Sequence, residues 1–176
     1  MDAAGLTPAA VAINYVPLMT DLSPHRVSVA LVHPQIAPNT GNVGRLCVAT
    51  GTALHLVRPL GFVLSDRNLQ RAGMDYWPRL RLTLHDDQAA FVTATAGARR
   101  WLFTTKGDRS VWDVPFADGD CLVFGSESHG LPADLLAAAP DRWVRIPQVA
   151  GERCLNLSTA VGVGLYECLR RCQRQP

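Results

Sequence analysis

Several short runs of this chain are apolar at successive positions rather than alternate ones, and helix-length segments separate them. Residues 26–32 (Arg-Val-Ser-Val-Ala-Leu-Val), the core of 100–105 (Arg-Trp-Leu-Phe-Thr-Thr) and 121–124 (Cys-Leu-Val-Phe) are of this kind. A strand that is apolar on both sides must be covered on both sides, and that is the situation of a parallel sheet with helices on each face. The predicted class is therefore α/β, with a mostly parallel sheet flanked by helices and ligand sites at the carboxyl ends of its strands.

The remaining elements follow from turn and cap signals. Further strands are expected at 54–58, 80–84 and 143–146. Asn39-Thr40-Gly41-Asn42 offers a cap for a helix running to Gly51, and Asp86-Asp87 caps another through about Thr95. A short helix is expected over 66–72, and Pro132 suits the first turn of a helix to Ala139. The last helix spans about 155–173, with Leu157, Val161, Leu165, Cys168 and Cys172 on one face. Gly162 and Gly164 each cost that helix about 1 kcal/mol relative to Ala, and close backbone packing is one reason to keep them. So much apolar surface on a terminal helix also points to a dimer.

A length of 176 residues fits one domain. Residues 1–25 read as a loose N-terminal extension and 26–176 as the domain. Basic and acidic side chains nearly balance at a net charge of +2, too little to announce a nucleic-acid binder. The 16 Arg against one Lys reflect a compositional bias, which makes the lone Lys106 more notable than any single Arg. Five Cys without a C-x-x-C pair argue against a disulfide framework or a zinc ribbon, and no metal site is expected. Residues 1–25 contain no Lys or Arg, and Pro8 and Pro17 interrupt their apolar stretch, so no signal peptide is read there. No window is apolar enough to span a bilayer, and a cytoplasmic location is the expectation.

Three polar, glycine-bearing segments fall just past predicted strands. In Asn39-Thr-Gly-Asn-Val-Gly-Arg45, Asn42 and Arg45 neighbour each other on a helix face near its positive end, where a phosphate would be held. A capped helix with a surface Arg accounts for them equally well. In Phe124-Gly-Ser-Glu-Ser-His-Gly-Leu-Pro132 two glycines permit close backbone approach and Glu127 hangs between them; a turn with a solvated Glu is the alternative. In the segment from Ile146 to Ser158, Asn156 and Ser158 open an apolar helix, or simply satisfy its free amides. Neither a dinucleotide fingerprint nor a phosphate-loop or nucleophile-elbow motif is present.

Taken in order, the three segments resemble the motifs of the SPOUT superfamily of RNA methyltransferases: N-x-G-N-x-x-R, G-x-E-x-x-G-L-P, and I-P followed by N-L-S before a C-terminal helix. The likeness covers residues 27 to 173. Residues 38–47, 69–76 and 104–107 are most similar to the tRNA (cytidine/uridine) 2′-O-methyltransferases that act on the wobble nucleotide, position 34. The resemblance implies a deep C-terminal trefoil knot, which patterning rules alone would not suggest. It also implies a homodimer, tRNA as substrate, and S-adenosylmethionine as methyl donor with S-adenosylhomocysteine as product. Carried over residue by residue, cofactor contacts fall on Phe103, Thr104, Gly125, Ile146, Pro147, Cys154 and Leu155. Catalytic roles fall on Arg45, Glu127, Asn156 and Ser158, and substrate contacts on Asn39, Asn42, Lys106, His129 and Arg153.

Methyl transfer to a ribose needs the 2′-hydroxyl aligned and its developing charge stabilised. A guanidinium is not a base, so the role expected of Arg45 is gripping phosphate and stabilising alkoxide. Ser126 and His129 stand where the subfamily often carries Pro and a basic residue, which weakens the expected hold on phosphate. A related enzyme for another tRNA position or for ribosomal RNA is the nearest alternative. A non-catalytic RNA-binding module is the other, and the intact Arg45, Glu127, Asn156 and Ser158 weigh against it.

Overall fold

A computed structural model describes residues 22–64 and 76–173. Its seven strands are β1 (Ser28–Val32), β2 (Ala53–Val57), β3 (Leu82–His85), β4 (Arg100–Phe103), β5 (Arg109–Ser110), β6 (Cys121–Phe124) and β7 (Trp143–Arg145). All pairings are parallel, in the order β3-β2-β1-β6-β4-β7-β5. Helices α1 (Ala37–Thr50), α2 (Gln88–Ala94), α3 (Ala133–Ala137) and α4 (Leu157–Gln173) cover it. The expected helix over 66–72 lies outside the described residues.

Successive residues of β1 go to opposite cores, which is why the strand reads as continuously apolar. Val29 and Leu31 join Val43 and Cys47 of α1 and Leu157, Val161, Leu165 and Cys168 of α4. Ala30 and Val32 join Phe91 of α2 and Leu135 and Leu136 of α3 on the other face. Each large side chain fully buried in this way stabilises the fold by about 1.5–3 kcal/mol.

Asp87 caps α2 as its sequence predicts, its carboxylate accepting from the Ala90 amide at 2.7 Å. The cap expected for α1 does not form. That helix starts earlier, with Ile36 at the N-cap and Pro38 in the first turn, and Asn39 is buried inside it. Pro38 is suited to the first turn because its missing amide has no helical partner there.

The inner face of α4 serves the chain's own core. Gly164 packs so closely that a Cβ there would lie 2.8 Å from Cζ of Phe103, as close packing requires. Gly162 does not share that reason: a Cβ would meet only Leu46 Cδ2, at 4.0 Å. The apolar residues that α4 leaves exposed are instead Val163 and Tyr166.

β7 lies between β4 and β5, which are consecutive in the sequence. Their connection, residues 104–108, therefore crosses the chain of β7. Thr104 N donates to Val144 O at 2.9 Å, and a Cβ on Gly107 would stand 3.1 Å from Val144 N. Only glycine lets two backbones pass this closely without displacement. Ahead of β1, Ser23 N donates to Gln173 Oε1 and His25 Nε2 lies 2.9 Å from Thr50 O.

Candidate active site

A cavity of about 500 Å³ opens at the carboxyl ends of β4, β6 and β7. Its size is that of a small-molecule site, about 300–1,000 Å³. Phe103 and Phe124, stacked at 4.3 Å between ring centroids, form part of its lining, and Gly164 supports their rings. Residues from 104–106, 125–131 and 146–156 supply much of the rest, so all three loops past the strand ends converge on one space.

The middle loop is a tight reversal. Ser126 and Gly130 exchange backbone hydrogen bonds of 3.1 and 2.9 Å, and Gly130 has a φ of 70°. A Cβ on Gly125 would fall 2.0 Å from the Gly130 carbonyl carbon, so the loop closes only over a bare α-carbon. The reversal turns Glu127 toward the start of α1. There its carboxylate accepts from the Gln35 amide at 2.8 Å, the Ile36 amide at 3.2 Å and Asn39 Nδ2 at 2.9 Å. Partial burial pushes its pKa up, but the Asn39 and amide hydrogen bonds outweigh burial, and the carboxyl titrates below its ordinary value. Glu127 thus sits ionised at the positive end of a helix.

From Asn39 the chain of bonds continues. Asn156 Nδ2 donates to Asn39 Oδ1 at 2.9 Å. Asn156 Oδ1 accepts from Ser158 N at 2.9 Å and from Ser158 Oγ at 2.7 Å, so Asn156 also satisfies the first turn of α4. One residue from each of the three polar segments is therefore held in a single line, Glu127–Asn39–Asn156, which ends on Ser158.

Of the expected cofactor contacts, Phe103, Thr104, Gly125, Ile146, Cys154 and Leu155 line the cavity; Pro147 does not, although Ile146 and Gln148 on either side do. Asn39, Lys106, Glu127, His129 and Asn156 line it as well. Asn42, Arg45, Arg153 and Ser158 stand outside the lining. Arg45 lies about 9 Å along α1 from Asn39 and about 240° around it. It is solvent-exposed, with its guanidinium carbon 5.2 Å from the centre of the Tyr76 ring. Gln35 went unrecognised in the sequence. Its Oε1 accepts from Ser128 Oγ at 2.6 Å, so its side chain braces the middle loop while its amide holds Glu127. Its one signal was its place, a polar residue just past a central strand.

The arrangement suits a ligand with flat and apolar parts. Rings and aliphatic side chains face the space, and Gly125 allows the backbone of the middle loop to approach it. His129, Lys106 and the Asn39–Asn156 pair put polar groups at the same cavity.

Known proteins resemble this chain over most of its length. The SpoU rRNA Methylase family matches residues 26–166. A tRNA (cytidine(34)-2′-O)-methyltransferase of Burkholderia ambifaria is 49% identical over 147 residues, covering 82% of this chain and 94% of that protein. A solved structure from work on the 2-OH methylation of C/U34 on tRNA superposes with a TM-score of 0.79 at 47% identity, over 85% of this chain and 97% of that one. The AdoMet-bound rRNA methyltransferase of Sinorhizobium meliloti has the same fold, with a TM-score of 0.73 at 24% identity over 82% of this chain and 56% of that one.

Proposed function

Because the chain belongs to the SpoU rRNA Methylase family, we propose that it methylates the ribose 2′-hydroxyl of nucleotide 34 of tRNA, a cytidine or uridine, from S-adenosylmethionine. The observation that carries this reading is the convergence of all three polar segments on one cavity, tied by the Glu127–Asn39–Asn156 line. Relatives that share nearly half of the sequence are named for position 34 of tRNA, which favours that substrate over ribosomal RNA.

The cavity fits the cofactor. Phe103, Thr104, Gly125, Ile146, Cys154 and Leu155 would hold it, with Pro147 beside them. When bound, S-adenosylmethionine supplies an electrophilic methyl group. The chain's own task is then to orient the ribose and manage the charge on its oxygen. Glu127 is a poor proton acceptor, since three donors already occupy an ionised carboxylate. Its work is to keep the middle loop against α1, and the Asn39–Asn156 bond sets the distance from α1 to the last loop. Asn42, Lys106, His129 and Arg153 would contact the RNA; of these, Lys106 and His129 line the cavity.

Arg45 would stabilise charge on the ribose oxygen and grip the adjoining phosphate. It points away from the cavity of its own chain, which supports a homodimer whose sites are shared between protomers. Exposed Val163 and Tyr166 on α4 support the same assembly. The crossing of 104–108 over β7 supports the trefoil knot. Among the described residues, no helix is long and apolar enough to cross a membrane.

Single-turnover methylation of unmodified tRNA, with the methylated ribose mapped, tests the reading. Methyl transfer confined to nucleotide 34 is expected. Arg45→Ala should lower the rate by a factor on the order of a hundred to a thousand, with cofactor affinity by calorimetry unchanged. Arg45→Lys should recover little, because an ammonium does not reproduce a planar fork of donors. Methylation at another nucleotide, or normal transfer by Arg45→Ala, would overturn it.

A further inference from the structure

Tyr76 stands outside the cavity and has no part in the reaction described so far, yet its surroundings are built around Arg45. The residue is buried to 5% exposure, while the guanidinium that lies across its ring is open to solvent. Its hydroxyl donates to the Gly41 carbonyl at 2.6 Å. Gly41 is four residues before Arg45 on α1, so helix geometry makes this the same carbonyl that receives the Arg45 amide. The ring is thus fixed to the very turn that carries the arginine. Its neighbour Trp77 reinforces the placement. A Cβ on Gly44 would lie 3.0 Å from Trp77 Cζ3, so the indole seats directly on the bare backbone next to Arg45.

An exposed arginine samples many rotamers, and holding it in one of them has an entropic cost. A ring face anchored by its own hydroxyl lowers that cost in advance, because a cation is attracted to the face and the flat guanidinium stacks on it. We propose that Tyr76 is a positioning residue for Arg45, preorganising the guanidinium for the substrate's ribose and phosphate. The proposal rests on the reading of Arg45 given above. It predicts that Tyr76 matters to the reaction only as long as residue 45 is an arginine.

The experiment is a double-mutant cycle on the full chain. Single-turnover methylation of unmodified tRNA is read beside cofactor calorimetry and thermal unfolding. Tyr76→Leu removes the ring, and the rate should fall about tenfold to a hundredfold, the range reached when a reacting group is displaced by about 1 Å. Cofactor affinity should hold. Tyr76→Phe keeps the face, loses the hydroxyl, and should recover most of the rate. In an Arg45→Ala background, Tyr76→Leu should change the slow residual rate by less than about twofold, since the group it positions is gone. If Tyr76→Leu does not fold, Tyr76→Met takes its place in the same cycle.

An equal loss from the Tyr76 variant in both backgrounds would mean that it merely supports the fold, and would overturn the proposal while leaving Arg45's role intact. A Phe variant as slow as the Leu variant would also overturn it. Normal transfer by Arg45→Ala alone would remove the reading of Arg45 itself, and the positioning role with it.

Discussion

Asn156 donates its side-chain amide to the side-chain oxygen of Asn39 across 2.9 Å, joining residues 117 positions apart. Asn39 in turn donates to Glu127, so α1, the middle loop and the last loop take their spacing from two amide side chains. Such a line sets geometry only while each member keeps its protonation state and its partners.

Glu127 makes that condition measurable. At neutral pH, Glu127→Gln should cost about 1 kcal/mol, because a neutral amide replaces a carboxylate at a helix N-terminus. The folded-state pKa lies below the ordinary 4.5, so the carboxylate's contribution is complete above that value and is lost as pH falls through the folded one. Urea unfolding of both proteins should show the gap closing in acid. A gap that widened toward low pH would reverse the assignment.

Gly125→Ala should be among the most damaging small substitutions in the chain. The new methyl would sit 2.0 Å from the Gly130 backbone, which has no flexible end to move aside. A cost of about 3 kcal/mol or more is expected, with loss of cofactor binding. Thermal unfolding and calorimetry read both effects, and near-normal affinity would show that the loop can open without harm.

The two glycines of α4 should respond in opposite directions. Gly162→Ala has space and should stabilise by about 0.5–1 kcal/mol through helix propensity. Gly164→Ala would press on the Phe103 ring, and a clash cost of about 1–3 kcal/mol exceeds that gain. Because Phe103 lines the cavity, cofactor affinity should fall as well. Chemical denaturation of the pair decides the point; equal shifts would refute it.

Tyr166 is 55% exposed on the outer side of α4, and Val163 beside it is 40% exposed. Tyr166→Asp should convert a dimer into a monomer in analytical ultracentrifugation at micromolar concentration, and methyl transfer should fall with it. A monomeric wild-type protein would dismiss the shared site.

What the sequence revealed depended on how local the determinants are. Continuous apolar runs at 29–32 and 121–124 announced a sheet covered on both faces, since each residue's neighbours along the strand record both cores. Asp87 was readable as a cap because the amide it binds is three residues away. Asn39 was misread as a cap because its real partner, Glu127, is 88 residues distant. Gly162 and Gly164 look alike in sequence and differ in what stands opposite: a Leu46 methyl at van der Waals distance for the first, the Phe103 and Phe124 rings for the second. The two residues of β5 carry no periodicity at all. The convergence of the cavity's lining residues was legible from the resemblance of three motifs. Tyr76 closed a segment that shares the resemblance, yet nothing local tied it to Arg45, and Gln35 had no motif to mark it.

The passage of residues 104–108 over β7 has a consequence for the order of events in synthesis. β4 and β5 leave the ribosome as sequence neighbours, yet they are never partners in the finished sheet, because the strand that separates them is made some thirty residues later. Until residues 143–157 have emerged and been seated, Ile146, Leu155 and Asn156 are missing from the cavity wall. A nascent chain therefore carries only part of the cavity's wall, and the pocket is completed only once the third polar segment has been seated behind the crossing.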